Sequence, residues 1–128
     1  MPTPKETVET YGASWNEPDA AKRRELLERS WADDGVFEDP RDRAEGRDAL
    51  LQLIAGFREQ LPGGSIVMTS GVDEHHGLVR FTWRIDDAQG KSLLEGIDFG
   101  ELAPDGRIQR IVGFWGAPPS PPAGQASA

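Results

Sequence analysis

The sequence predicts an α+β domain, and three observations carry that prediction. The first 60 or so residues hold apolar side chains at helical spacing. From Ser65 the apolar period drops to two. The joints of the second half are short and rich in turn residues. Three helices followed by an antiparallel sheet, with the helices covering one sheet face, is the layout these features imply.

Each element has its own signal. Thr3-Pro4-Lys5-Glu6 has capping-box spacing with proline at the first helical position, and Val8, Tyr11 and Trp15 then recur on one face. Asn16-Glu17-Pro18-Asp19 breaks and recaps the chain, and Leu26, Leu27 and Trp31 form the stripe of a second helix. Gly35 to Pro40 reads as a short extended piece, because proline disfavours helix at Asp39. A third helix follows Gly46-Arg47-Asp48, with Leu50, Leu53, Ile54, Phe57 and Leu61 on one face, and Pro62-Gly63-Gly64 ends it. Strands are expected at 65–74, 78–87, 91–102 and 107–115. Val79, Phe81, Trp83 and Ile85 alternate there with Arg80, Thr82 and Arg84.

Composition narrows the function. The 128 residues carry 14 Lys+Arg against 22 Asp+Glu, a net charge of −8. Nucleic acid is therefore not an expected partner, since phosphate binding needs a concentrated cationic face. The one basic cluster, Lys22-Arg23-Arg24, is followed at once by Glu25. Zero cysteines exclude disulfides, thiolate metal sites and cysteine nucleophiles, and make the cytoplasm the default location. No apolar run approaches the roughly 20 residues of a membrane helix, so no membrane partner is expected. The Pro/Ala-rich stretch 117–128 has nothing to bury and is expected to be a disordered tail.

The chemically informative residues are acidic or phenolic groups among apolar ones. Asp98 lies between Ile97 and Phe99, and alternation puts it on one face with Gly96 and Gly100. Two glycines beside one carboxyl leave room for a cavity, where desolvation would raise the acid's pKa; a bulged strand with an outward Asp is the plainer alternative. Asp39 shares a face with Phe37 and is placed as a general base at the mouth of a pocket, or it only shapes a turn with Pro40. Tyr11 points inward with Val8 and Trp15, as a site phenol or as a core tyrosine. Trp15, Trp31, Phe57, Trp83, Phe114 and Trp115 are the expected walls of a site for a flat hydrophobic ligand, with core packing as the alternative. His75-His76 sits in a turn without further ligands at metal spacing, and no Gly-rich phosphate loop precedes a helix. No metal and no cofactor are expected.

Taken together, residues 3–116 resemble the nuclear transport factor 2-like superfamily, in its SnoaL-like and ketosteroid isomerase-like branch. The resemblance lies in the element order and in Val36-Phe37-Glu38-Asp39-Pro40 followed by Gly46-Arg47-Asp48-Ala49-Leu50. Gly96-Ile97-Asp98-Phe99 and Gly113-Phe114-Trp115-Gly116 extend it. It implies a cone of three helices in a strongly curved, mainly antiparallel sheet around an apolar pocket, and a homodimer packed through the outer sheet face. It also implies roles: Asp39 as the proton-transferring base, Asp98 as an acid kept neutral, and Tyr11 as the second donor to an enolate oxygen. Ile97-Asp98-Phe99-Gly100 departs from the Ile-Asp-His-Phe pattern of ketosteroid isomerases in lacking the histidine. The reading is an enzyme of proton transfer next to a carbonyl, an isomerase or a polyketide cyclase. A noncatalytic binder of hydrophobic small molecules is the alternative from another class. An epoxide hydrolase-like relative would need Arg80 or Arg84 to point inward, against the alternation.

Overall fold

The computed structural model describes residues 1–124. The chain runs α1 (Pro4–Asn16), α2 (Ala20–Ser30), β1 (Trp31–Glu38), β2 (Arg43–Glu45), α3 (Arg47–Gln60), β3 (Ser65–Met68), β4 (Asp73–His75), β5 (Leu78–Asp86), β6 (Ser92–Leu102) and β7 (Ile108–Trp115). The strands form one sheet in the order β2-β1-β7-β6-β5-β3, with β4 also paired to β5. Every pairing is antiparallel except β1 with β7. Register shifts interrupt three of the pairings, between Trp31 and Val36, Ile85 and Asp86, and Glu101 and Leu102; such bulges bend strands and curve a sheet. The helices pack in the curve, and the sheet remains open, with β2 at one end of the path and β3 at the other.

The helix starts follow the sequence signals. Thr3 Oγ1 accepts from the Glu6 N–H at 3.1 Å and Glu6 Oε1 accepts from the Thr3 N–H at 3.0 Å, so the capping box is closed. Asp19 caps α2 through the Lys22 N–H at 2.9 Å. At the β4–β5 joint His76 (φ 51°) and Gly77 (φ 77°) both occupy the left-handed region, as a two-residue hairpin turn between His75 and Leu78 requires.

Three expectations are corrected. Trp31 does not continue the second helix. The Ser30 hydroxyl bonds back to the Leu26 carbonyl, and the backbone turns extended at Trp31, which opens β1. The expected strand 65–74 is two strands, because the chain leaves the ladder after Thr69 and the Ser70 hydroxyl takes the Thr82 N–H at 2.8 Å in place of a backbone carbonyl. Leu61 lies just past α3 as its C-terminal cap, its N–H on the Phe57 carbonyl. Of the expected tail, residues 117–124 are exposed and belong to no helix or strand, while 125–128 lie outside the described residues.

The core joins both layers. Val8, Leu27, Trp31, Leu50, Ile54, Ile108 and Ile111 are fully buried between the helices and the inner sheet face. Side chains of this size each gain about 1.5–3 kcal/mol by leaving water, so this layer fixes how α1 and α3 sit over the sheet. Two polar anchors set the end of α1: the Asn16 amide pairs with both backbone groups of Ile66, at 2.7 and 2.8 Å, and Arg58 donates to the Trp15 and Gly64 carbonyls.

Candidate active site

The helices do not fill the sheet's concave side, and a cavity of about 560 Å³ opens between them. Tyr11 enters it from α1, Asp39 from the turn after β1, and Asp98 from the middle of β6. Three residues more than 25 positions apart in sequence thus meet on one surface.

Each is held by its local structure. Asp39 Oδ1 accepts from the Arg41 and Asp42 N–H groups at 2.9 and 2.7 Å, and the Asp39 N–H bonds the Asp42 carbonyl at 3.0 Å. This turn is built around Pro40, and Asp39 also lines the cavity. Glu38 points to the other face, where it meets Arg110 at 3.0 Å. Asp98 is 6% exposed, and its Oδ1 accepts from the Trp83 indole N–H at 3.0 Å. The flanking Gly96 and Gly100 are buried on the same inner face. Tyr11 is 3% exposed, its ring stacked on Trp31 with centroids 5.4 Å apart.

Burial governs the electrostatics. Loss of water pushes the Asp98 carboxyl up to about 6; the Trp83 N–H opposes that rise and the nearby Asp39 charge adds to it. The Tyr11 phenol is raised well above its ordinary value by burial first and by Asp98 second. The Trp15 indole N–H pulls the other way and Asp39 adds a smaller push. Tyr11 is therefore a neutral hydrogen-bond donor throughout the physiological range.

Trp15, Phe57, Trp83 and Trp115 line the cavity as expected positions of its wall. Trp31 and Phe114 do not. Trp31 is fully buried beneath Tyr11, in a notch left by Gly35, where an added Cβ would come within 2.5 Å of the indole. Phe114 alternates outward between Gly113 and Trp115 and stands 56% exposed on the outer face, edge-on to Phe99. Arg80 and Arg84 also face outward, paired with Asp73 and Asp86 at 2.7 and 3.0 Å. That geometry offers no inward arginine from β5 for water activation beside Asp98. His75 and His76 meet edge-on in their exposed turn, away from the cavity.

Sequence reasoning missed Met68 and Phe81 on the wall, Asn16, Arg41 and Asp42 at the polar rim, and Gly113 beneath Asp98. Phe81 was signalled by the same alternation that marks Trp83. Gly113 sits opposite Asp98 in the β6–β7 ladder, a pairing that no local pattern reveals.

An open cone whose concave side holds an apolar cavity and convergent polar groups is the architecture of the nuclear transport factor 2-like fold. The SnoaL-like domain profile matches residues 8–111, and the chain belongs to the SnoaL-like family. A crystal structure from Agrobacterium tumefaciens, named as a "putative isomerase of the SnoaL-like family", shares 33% identity, with 87% of this chain and 95% of that one covered at a TM-score of 0.82. Two structures named as "putative" polyketide cyclases share the fold. The one from Sinorhizobium meliloti has 18% identity, 88% and 94% coverage and a TM-score of 0.68. The one from Jannaschia sp. has 19% identity, 90% coverage of each chain and a TM-score of 0.66. No curated protein matches the sequence.

Proposed function

We propose that the protein is an enzyme of proton transfer next to a carbonyl, an isomerase or cyclase of the ketosteroid isomerase-like type acting on a hydrophobic small molecule. The supporting observation is the convergence of Tyr11, Asp39 and Asp98 on one apolar cavity. Asp39 removes a carbon-bound proton through Oδ2, because the turn N–H groups already occupy Oδ1. Tyr11 and neutral Asp98 donate hydrogen bonds to the oxygen on which enolate charge develops, and the apolar walls strengthen both bonds. The proton then returns to another carbon of the enolate, giving an isomerised enone, or the enolate carbon attacks a second carbonyl and closes a ring, and the alkoxide so formed takes the proton back from Asp39.

A homodimer packed through the outer sheet face belongs to the same reading. Leu78, Phe99 and Phe114 support it, since all three stand exposed on that face.

The test follows conjugated-enone absorbance after addition of a β,γ-unsaturated ketone. Asp39→Asn is expected to lower turnover by about 10²- to 10⁴-fold, and Tyr11→Phe or Asp98→Ala, each of which removes a donor, by about a hundredfold. The free enzyme's kcat/KM should be highest below about pH 6 and fall above it, as Asp98 loses the proton it must donate. Equal rates for wild type and Asp39→Asn overturn the assignment. Ligand retention seen by tryptophan quenching, without turnover, assigns a binding protein instead.

A further inference from the structure

We propose that Trp83 is a positioning residue for Asp98: its indole N–H claims Oδ1, which leaves Oδ2 as the oxygen that carries the proton and meets the ligand. The catalytic consequence rests on the proton-transfer reading above, whereas the assignment of the two oxygens does not.

The geometry is specific. Trp83 and Asp98 project from adjacent strands onto the same inner face, and each stands opposite a glycine. Trp83 pairs with Gly96, where an added Cβ would come within 2.2 Å of the indole ring. Asp98 pairs with Gly113, where a Cβ would lie 2.7 Å from Asp98 Oδ1. Space for the indole and for the carboxyl is thus made on both neighbouring strands, and the bond between them, 3.0 Å long, is buried. It is the one hydrogen bond to the Asp98 carboxyl among the described residues.

The chemistry follows from what a neutral carboxyl offers. One oxygen is a carbonyl-type acceptor and the other bears the proton. An indole N–H is a donor only, so it pairs with the carbonyl-type oxygen and leaves the hydroxyl at Oδ2. In the ionised acid the same N–H becomes a charge-assisted bond, which favours the anion. Trp83 therefore limits how far burial raises Asp98, while fixing the carboxyl's orientation. The other groups facing Asp98 are the Tyr11 phenol from α1 and the Asp39 carboxylate beyond β1, with Phe81 and Gly113 supplying uncharged neighbours.

The experiment is a pH titration of ¹⁵N-tryptophan-labelled protein without ligand, with the Asp98 carboxyl carbon followed in parallel. Trp83→Phe identifies the Trp83 indole signal among the four. That signal should move with the same midpoint as the Asp98 carboxyl, near 6, and should stop moving in Asp98→Asn. In Trp83→Phe the Asp98 midpoint should rise by about one pH unit. An indole signal that stays flat from pH 4 to 8, one that titrates unchanged in Asp98→Asn, or an Asp98 midpoint unmoved in Trp83→Phe overturns the proposal. Should Trp83→Phe not fold, Asp98→Asn alone decides, because one indole signal must lose its titration there. None of these readings requires turnover, so failure of the enzyme assignment and failure of this one are told apart.

Discussion

At the scale of single residues, Asp98 couples the site to stability. The unfolded chain releases this proton near 3.8 and the folded chain near 6, so between those values the folded state binds more protons. Stability from this group is fully present below about 3.8 and falls as pH rises through 6. The two midpoints correspond to about 3 kcal/mol for this buried carboxyl. Asp98→Asn keeps the acceptor for Trp83 and has no charge to bury. Relative to wild type it should gain stability by roughly that amount between pH 4 and pH 7 in urea denaturation. An identical difference at both pH values would show that Asp98 is not desolvated in the folded state. The residues with this chemistry were legible in the sequence: an Asp between Ile97 and Phe99, and an Asp before Pro40, each have apolar neighbours that make them conspicuous. Trp31 was not, because a large apolar residue ending a helical stripe looks the same whether the helix continues or turns into a strand.

At the scale of elements, the site depends on strand register. Alternation along β5, β6 and β7 places Trp83, Asp98 and Gly113 on the inner face, and a one-residue slip would turn all three outward. Gly113 is the sensitive point, since the Cβ of Gly113→Ala would press on Asp98 Oδ1 from the rigid backbone of a central strand. This substitution should cost about 1–3 kcal/mol of stability, the range for overpacking a core, and should displace the Trp83 indole signal. Thermal denaturation with the indole spectrum checks it; a variant as stable as wild type, with an unchanged indole signal, would mean that the carboxyl has more room than the geometry allows. Helix positions were legible because caps are local: Thr3 with Glu6, and Asp19 before α2, announce themselves within four residues. The break between β3 and β4 was not, because it depends on a Ser70 hydroxyl replacing a carbonyl opposite Thr82.

At the scale of the whole molecule, the sheet has two unlike faces. The inner one encloses the cavity, and the outer one carries exposed Leu78, Phe99 and Phe114 among the charged Arg80, Glu101 and Arg110. If the proposed dimer forms there, Phe114→Glu should give a monomer in sedimentation velocity with an unchanged far-ultraviolet spectrum, because the side chain supports no core contact. A wild-type monomer at tens of micromolar would remove the dimer from the reading. Among the described residues, no helix is long and apolar enough to cross a membrane. The SnoaL-like membership and the cone were both anticipated from the motifs, whereas the outward position of Phe114 follows from alternation, since neighbours Phe114 and Trp115 on one strand face opposite sides and only Trp115 reaches the cavity.

The sequence by itself determined the α+β order, the helix caps and the inner faces of the strands, and it singled out Tyr11, Asp39 and Asp98 by their apolar neighbours. These depend on spacing and on neighbours within a few positions, which a linear chain displays. The tertiary structure decided that Tyr11, Asp39 and Asp98 share one cavity, that Trp83 holds one oxygen of Asp98, and that Trp31 and Phe114 lie elsewhere. Those facts depend on which strand lies beside which and in what register. Cross-strand pairing brings Trp83 to Asp98 and Gly113 beneath it, and no local pattern specifies which residues will stand opposite each other.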